Sequence, residues 1–534
     1  MAATVSSSLV FGGLSGTGDL LARNAQLYGR ETGLVFGDVR LTWREVNARA
    51  NRFTNAMQKL GLQRGDRVAL YARNSQQWVE ALFGLMKMGA VVVTINYRLT
   101  AAEAGYIAEN CGARAIVCGA TEIENARKVA AQSSNLKFLI GIGVEADDVE
   151  NYETLVNIGD EREPVLETPL AYAEPAMLLY TSGTTGFPKG AIYTHGSLLV
   201  GMLVHVHAIG SRHTNRVMLP SPLYSAAGIA GIFCAVYVGS PIALINFEPK
   251  LALETIQRER ITFTNFVPTT IQMLMARADI GDYDLSSLET LLYGGSPIPE
   301  PVLRDAMTKL PNCGFRQTFA MTETGCAGTV LEPSEHREAL ENPACAHRLL
   351  SCGRPQINVD VRIADEQGNT LPPGAIGEIA VRTEANMPGY WNNPEATAKT
   401  LRDGWLYTGD MARMDEDGYF YLVDRKHDMI VSGALNVYPS EVERVLQEHP
   451  AVYEVAVIGV PSERWGEEVK AIVALKTGAI ATAEELIAHC GAQLAGFKKP
   501  KTIAFVEKLP RNLTGKILRR ELREKYWEGQ QRKV

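Results

Sequence analysis

YTSGTTGFPKG, from Tyr180 to Gly190, is the stretch on which the reading of this chain turns. It sets the hydroxyls of Thr181, Ser182, Thr184 and Thr185 and the glycines Gly183 and Gly186 ahead of a single lysine, Lys189. Glycines let a backbone approach a ligand closely. Hydroxyls donate to phosphate oxygens, and a lysine adds a point charge. Most loops rich in Gly, Ser and Thr merely turn the chain, but turning does not require such a density before a lysine. A phosphate is the expected ligand. The loop is not a Walker A motif, which needs GxxxxGK followed by Ser or Thr. Here Pro188 precedes the lysine and Gly190 follows it.

Around this loop helix and strand signals alternate. Thr42 and Glu45 form a capping-box pair that opens a helix with Val46, Ala50, Phe53, Met57 and Leu60 on its apolar face, ended by Gly61. RVALYA (Arg67–Ala72) and AVVVTI (Ala90–Ile95) read as buried strands on either side of another helical stretch. The pattern predicts an α/β fold with largely parallel sheets. From about residue 350, short strands such as VDVRIAD and GEIAVRT alternate with the turn signals PPG and DEDG, predicting a small β-barrel-like subdomain. After VDRKHDMIV a compact α+β domain is expected. In it Ser440–Glu443 and Thr482–Glu485 cap helices, and AVIGV and AIVALK form strands.

The 534 residues exceed what one core usually serves, so at least two domains are expected. The division predicted is a large domain over 1–424, with mixed sheets flanked by helices, and a small domain over 425–534. A net charge of -7 argues against a generic nucleic-acid binder. Eight scattered cysteines without CxxC pairs, no secretory leader and no long apolar run lead to the expectation of a cytoplasmic protein that does not span a membrane. The terminal QRKV is not a peroxisomal address.

The loop does not stand alone. LYGGSPIPE (Leu292–Glu300), QTFAMTET (Gln317–Thr324), GWLYTGD (Gly404–Asp410), VDRKHDMIVSGALNVYPSEVE (Val423–Glu443) and LPRNLTGKILRREL (Leu509–Leu522) follow it in order. In these motifs the chain, over residues 40 to 522, resembles the adenylate-forming superfamily of acyl- and aryl-CoA synthetases, peptide-synthetase adenylation domains and firefly-type luciferases. The resemblance implies an AMP-forming acid–thiol ligase with ATP and coenzyme A as co-substrates and Mg²⁺ as cofactor. A carboxylate attacks the α-phosphorus of ATP and expels pyrophosphate; a thiol then displaces AMP.

The resemblance also implies the residue roles. Glu323 is a magnesium ligand, with Thr184 a second, weaker candidate, and Thr322 touches the α-phosphate. Asp410 accepts the ribose hydroxyls, and Arg425 assists at the ribose or phosphate. Gly295 and Ser296 lie along the nucleotide, and Phe319 stacks on adenine where the family often has tyrosine. Lys516 bridges phosphate and carboxylate during adenylation. The C-terminal domain is mobile about a hinge at His427, where the family usually has Asp or Lys, and Gly433 lines the pantetheine tunnel. Arg519, Arg520 and Arg523 are read as a solvated helix face.

The acyl pocket is expected between SPLYSAAGIAG (Ser221–Gly231) and the segments around Gly294 and Ala320, with Tyr224, Ser225, Ala226 and Gly228 on its wall. Ser225 stands where the family commonly has histidine, and Ala320 where glycine is frequent. Small residues leave room for an extended or ring-bearing acid, or equally let helices pack closely. No acidic residue stands where amino-acid-activating relatives place an aspartate. A freestanding ligase for a medium- or long-chain fatty acid is favoured. An aryl acid (benzoate- or cinnamate-like) and a fatty acyl-AMP ligase loading a carrier protein are the alternatives, and a regulator that has lost catalysis is disfavoured by the presence of Lys189, Glu323, Asp410, Arg425 and Lys516. The expected partners are small molecules, with a homodimer left open.

Overall fold

The computed structural model describes residues 14, 16–181, 187–296, 298–426, 428–432, 435–462, 464–511 and 517–528, apart from the side chain of Arg425. Ser182, Gly183, Thr184, Thr185, Gly186, His427, Gly433 and Lys516 lie outside the described residues. The chain divides into two compact units, Met1–Val361 with Val381–Leu406, and Arg362–Ala380 with Tyr407–Val534.

The first unit is built on two sheets. One has seven strands in the order Glu150–Asn151, Phe138–Ile142, Ala115–Gly119, Arg67–Tyr71, Val91–Thr94, Pro175–Thr181, Lys189–Thr194. All its pairs are parallel except the last. The other has nine strands, with Phe263–Phe266, Thr290–Gly294 and Gly314–Ala320 parallel at its centre and Gly328–Leu331 antiparallel beyond them. Uninterrupted apolar strands such as Val91–Thr94 are the mark of a sheet covered on both faces. Helix Trp43–Lys59 opens with the full Thr42–Glu45 capping box and buries Val46, Ala50, Phe53 and Met57. Those side chains join one core with helices His195–Ile209 and Ala226–Val238. A second core lies between the nine-stranded sheet and helices Pro249–Glu259, Pro268–Met275 and Glu300–Lys309.

Strands Asp360–Ala364, Ile376–Arg382 and Trp405–Met414, with Phe420–Arg425, belong to a five-stranded sheet that corresponds to the barrel-like subdomain. Its turns carry Gly374 and Gly418 at positive φ, as the PPG and DEDG signals require. Further along, the second unit pairs the long strands Val452–Ser462 and Gly466–Leu475 into a hairpin packed against helices Pro439–Gln447 and Ala483–Gln493. Among the described residues no helix is long and apolar enough to cross a membrane, and none of the eight cysteines forms a disulfide.

Two expectations are corrected here. Thr482 caps its helix with Glu485, but Ser440 does not cap with Glu443. That helix starts at Pro439; the Ser440 amide donates to Asp424 Oδ2 at 2.8 Å, while Glu443 accepts from the Val457 amide and from Arg519. Nor do the arginines of helix Arg519–Trp527 form a uniformly solvated face. Arg519 pairs with Glu443 at 2.7 Å and Arg523 with Asp428 at 3.1 Å, both largely covered; only Arg520 lies out on the surface, beside Glu524.

Candidate active site

Strand Pro175–Thr181 runs out of the core through the buried residues Ala176 to Leu179 and ends on Thr181. The returning strand Lys189–Thr194 pairs with it, placing Lys189 opposite Thr181 and Gly190 opposite Tyr180. A Cβ on Gly190 would lie 2.9 Å from the Tyr180 ring, so glycine is what allows the ring to lie across it. The Tyr180 hydroxyl then donates to Asn110 Oδ1 at 2.6 Å. The two strands are thereby fixed to each other at Tyr180 and Gly190.

The second piece is the turn 321–327 between strands Gly314–Ala320 and Gly328–Leu331. Thr324 Oγ1 accepts from the Met321 amide and donates to the Ala327 carbonyl at 2.6 Å. Gly325 and Cys326 both adopt positive φ, and a Cβ on Gly325 would meet the Ala385 carbonyl oxygen at 2.3 Å. The turn presents Thr322 and Glu323. The Tyr193 hydroxyl donates to the Thr322 carbonyl at 2.6 Å, and the Met387 amide to the Glu323 carbonyl at 2.9 Å.

The Glu323 side chain, only 6% exposed, joins the pieces. Its Oε1 accepts from Thr181 Oγ1 at 3.2 Å and from the Tyr390 hydroxyl at 3.0 Å. Tyr390 is held because its segment runs beside strand Lys189–Thr194, with Ile192 donating to Gly389 and Trp391 to Gly190. Burial, and then the Glu323 carboxylate, push the Tyr390 phenol well above its usual range, so it remains a donor. Lys189 Nζ stands 5.3 Å from the centroid of the same ring. Thus Thr181, Lys189, Thr322 and Glu323 are brought together. Tyr390 and Tyr193, which sequence reasoning missed, hold them. The only signal for either was that a buried tyrosine needs a partner for its hydroxyl.

The remaining sites are placed as follows. Strand Thr290–Gly294 delivers Gly295 at φ +80° and the half-buried Ser296. Phe319, nearly buried, lies in the neighbouring strand, and Ala320 at its end pairs with Gly328. Gly294 is required by packing, since a Cβ there would meet the Thr318 carbonyl oxygen at 2.4 Å. Tyr224 makes an edge contact with Tyr97, 5.6 Å between centroids. Ser225 caps helix Ala226–Val238: its Oγ accepts from the Gly228 amide at 3.2 Å and donates to the Pro222 carbonyl at 2.7 Å. A Cβ on Gly228 would stand 2.2 Å from the Pro222 carbonyl oxygen. In the second unit, Asp410 pairs with Arg425 across adjacent strands, and its amide donates to Thr408 Oγ1 at 3.1 Å. Glu378, also missed, shapes this turn by accepting from the Gly409 amide at 2.9 Å and from Lys426 Nζ at 3.0 Å.

The parallel-sheet unit thus sets Thr181 and Lys189, on paired strands, beside the buried Glu323 carboxylate. The AMP-binding enzyme family matches residues 21–391, and the AMP-binding enzyme C-terminal domain matches residues 441–516. A feruloyl-CoA synthase of Amycolatopsis sp is 36% identical over 96% of this chain and 99% of its own length. The long-chain-fatty-acid–CoA ligase FadD13 of Mycobacterium tuberculosis is 34% identical over 92% of this chain and 94% of its own. The crystal structure of the anthranilate CoA ligase AuaEII in complex with anthranoyl-AMP superposes with a TM-score of 0.85 at 28% identity, covering 96% of this chain and 97% of that one. The chain belongs to the AMP-binding enzyme family, in its acyl-CoA synthetase branch of AMP-forming acid–thiol ligases.

Proposed function

We propose that this enzyme makes acyl-CoA from a carboxylic acid, ATP and coenzyme A, with a medium- or long-chain fatty acid as the favoured substrate. What carries the reading is the Glu323 carboxylate, fixed by two hydroxyl donors beside the strand that Lys189 opens. The acid's carboxylate attacks the α-phosphorus and pyrophosphate leaves. The coenzyme A thiol then attacks the acyl carbonyl, losing its proton as AMP departs. In the first step Lys189 and the hydroxyls of the loop Thr181–Gly186 hold the departing phosphates. Thr322 contacts the α-phosphate, and Lys516 bridges it to the acid. Such fixed charges stabilise the negative charge that develops on phosphate oxygens. Asp410 and Arg425 hold the ribose, while Gly295, Ser296 and Phe319 accommodate the adenine.

The residues present fit Mg²⁺. Glu323 Oε2 is left without a hydrogen-bond partner among the described residues, and no group of three or more His, Cys, Asp and Glu side chains there could hold a metal unaided. A single carboxylate, with Thr184 as a further oxygen, suits an ion that keeps waters and substrate phosphates as its other ligands. When bound it would supply Lewis-acid neutralisation of the phosphate oxygens.

The domains 1–424 and 425–534 turn about His427, removing Lys516 so that the thiol can enter past Gly433. Lys516→Ala should abolish acid-dependent pyrophosphate release yet leave thioester formation from preformed acyl-adenylate intact. Pyrophosphate release at the wild-type rate would refute the mechanism. An aryl acid is the second reading, supported by the feruloyl-CoA synthase and anthranilate CoA ligase relatives. A panel of acids assayed for CoA-dependent AMP release separates the two.

A further inference from the structure

Strand Phe263–Phe266 runs inside the nine-stranded sheet, between Val217–Leu219 and Thr290–Gly294, so its side chains alternate between two covered faces. Phe266 belongs to the core under helices Pro249–Glu259 and Pro268–Met275. Phe263 belongs to the opposite core, with Leu219, Leu292, Ile232 and Phe233. Asn265 shares the face of Phe263 and is directly opposite Leu292. The strand pattern calls for an aliphatic side chain there, and the chain supplies an amide that is 6% exposed.

One arm of that amide is used and the other is not. Asn265 Nδ2 donates to the Ala227 carbonyl at 3.2 Å, whereas Oδ1 has no hydrogen-bond partner among the described residues. Reversing the amide would set Oδ1 against the Ala227 oxygen, two acceptors facing each other, so the orientation is fixed by chemistry. Ala227 and Gly231 stand one turn apart on the same face of helix Ala226–Val238. A Cβ on Gly231 would lie 3.6 Å from Asn265 Nδ2. The Asn265 amide therefore lies against the smallest face of the helix whose first turn forms the proposed acid wall, with its acceptor arm unused. The preceding carbonyl, of Ala226, accepts from Cys326 Sγ at 3.5 Å, which ties this wall to the turn presenting Glu323. A buried acceptor without a donor is costly, and a ligand that brings a donor to it is favoured over one that does not.

We infer that Asn265 is a specificity-determining residue whose Oδ1 accepts a hydrogen bond from a hydroxyl or amino group on the body of the acid. The enzyme then favours a donor-bearing acid over its hydrocarbon analogue. The inference rests on the acid:CoA ligase reading and refines it. It applies to an aliphatic or an aromatic body alike, because the donor is what the site recognises.

The experiment measures CoA-dependent AMP release by the full-length enzyme with two matched pairs, 8-hydroxyoctanoate against octanoate and 4-hydroxycinnamate against cinnamate. In at least one pair kcat/KM should favour the hydroxylated acid by about tenfold or more. Asn265→Leu should bring that ratio to about one, through a gain on the hydrocarbon member as well as a loss on the other. Asn265→Ala carries the same expectation for the ratio should the leucine variant fail to fold. A wild-type ratio at or below one in both pairs overturns the inference, and so does a preference that survives both substitutions. If no acid yields AMP, the ligase reading itself fails and takes the inference with it, whereas turnover with the wrong ratio defeats the inference alone.

Discussion

The turn 321–327 and the first turn of helix Ala226–Val238 are joined through Cys326, yet they are built differently. The first concentrates polar atoms on one carboxylate: Thr181 and Tyr390 on Glu323, Tyr193 on the carbonyl beside it. The second is a run of small residues at the start of a helix. Gly228 faces a carbonyl, Ser225 is occupied with its cap, and the Asn265 amide is half satisfied among the described residues. Charge chemistry demands particular functional groups, whereas an acid's shape can be matched by many packings. Substitutions in the turn should therefore act on rate for every acid, and substitutions near the helix on stability or preference.

Glu323→Gln tests this division most severely. It keeps the shape and removes the charge, so pyrophosphate release should fall by about 10²–10³-fold, while the ratio of kcat/KM between any two acids stays within about twofold. A large change in that ratio would show that the two regions are not separable.

A second test separates the scaffold from the site. His336 is fully buried, with the Tyr293 hydroxyl 2.8 Å from Nε2 and the Glu332 carbonyl oxygen 2.9 Å from Nδ1. Nδ1 faces a carbonyl and so carries a proton, and burial keeps the ring neutral, which leaves Nε2 to accept from the phenol. Burial lowers its pKa to about 4, as it does for His195 and His205. Between about pH 6.5 and 4 the unfolded chain binds a proton at His336 that the folded chain refuses. Stability is therefore lost as pH falls through that window, by roughly 2–3 kcal/mol for one such histidine. Denaturant midpoints at pH 7.5 and 4.5 measure it, and His336→Gln should reduce the difference. An unchanged difference would remove His336 from the account.

Tyr390→Phe comes next in size. Glu323 keeps Thr181 as a donor but loses the phenol, so kcat/KM should fall by about tenfold, with half-saturation by Mg²⁺ moving to higher concentration. A merely structural tyrosine would leave the metal dependence where it was.

The same contrast explains what could be read in the sequence. The hairpin, the capping boxes at Thr42 and Thr482 and the apolar strands rest on neighbours a few residues apart, and periodicity exposes those. Tyr390 acts on a carboxylate 67 residues away and Glu443 on an arginine 76 residues away, and no local pattern encodes either. Ser440 shows the converse. It sits three residues before a glutamate as a capping box requires, but Asp424 and Arg519 claim the two partners from elsewhere in the chain. Asn265 carries no local signal for a related reason: TFTNFV has the composition of a buried strand, and only the sheet assigns its faces.

Ser225→Ala is the smallest effect and the closest test of the acid side. The hydroxyl serves the Gly228 amide and the Pro222 carbonyl, and both belong to the start of one helix. Removing it should cost about 1 kcal/mol, the usual loss on deleting an N-cap. In so large a chain that lowers the thermal midpoint by only about 1–2 °C. The kcat/KM ratio between octanoate and cinnamate should hold within about twofold, because the hydroxyl's proton and one of its lone pairs are already committed to the helix start. If the ratio shifts by tenfold while the midpoint stays fixed, Ser225 faces the acid after all, and the helix start joins the turn as a place where single functional groups decide the chemistry.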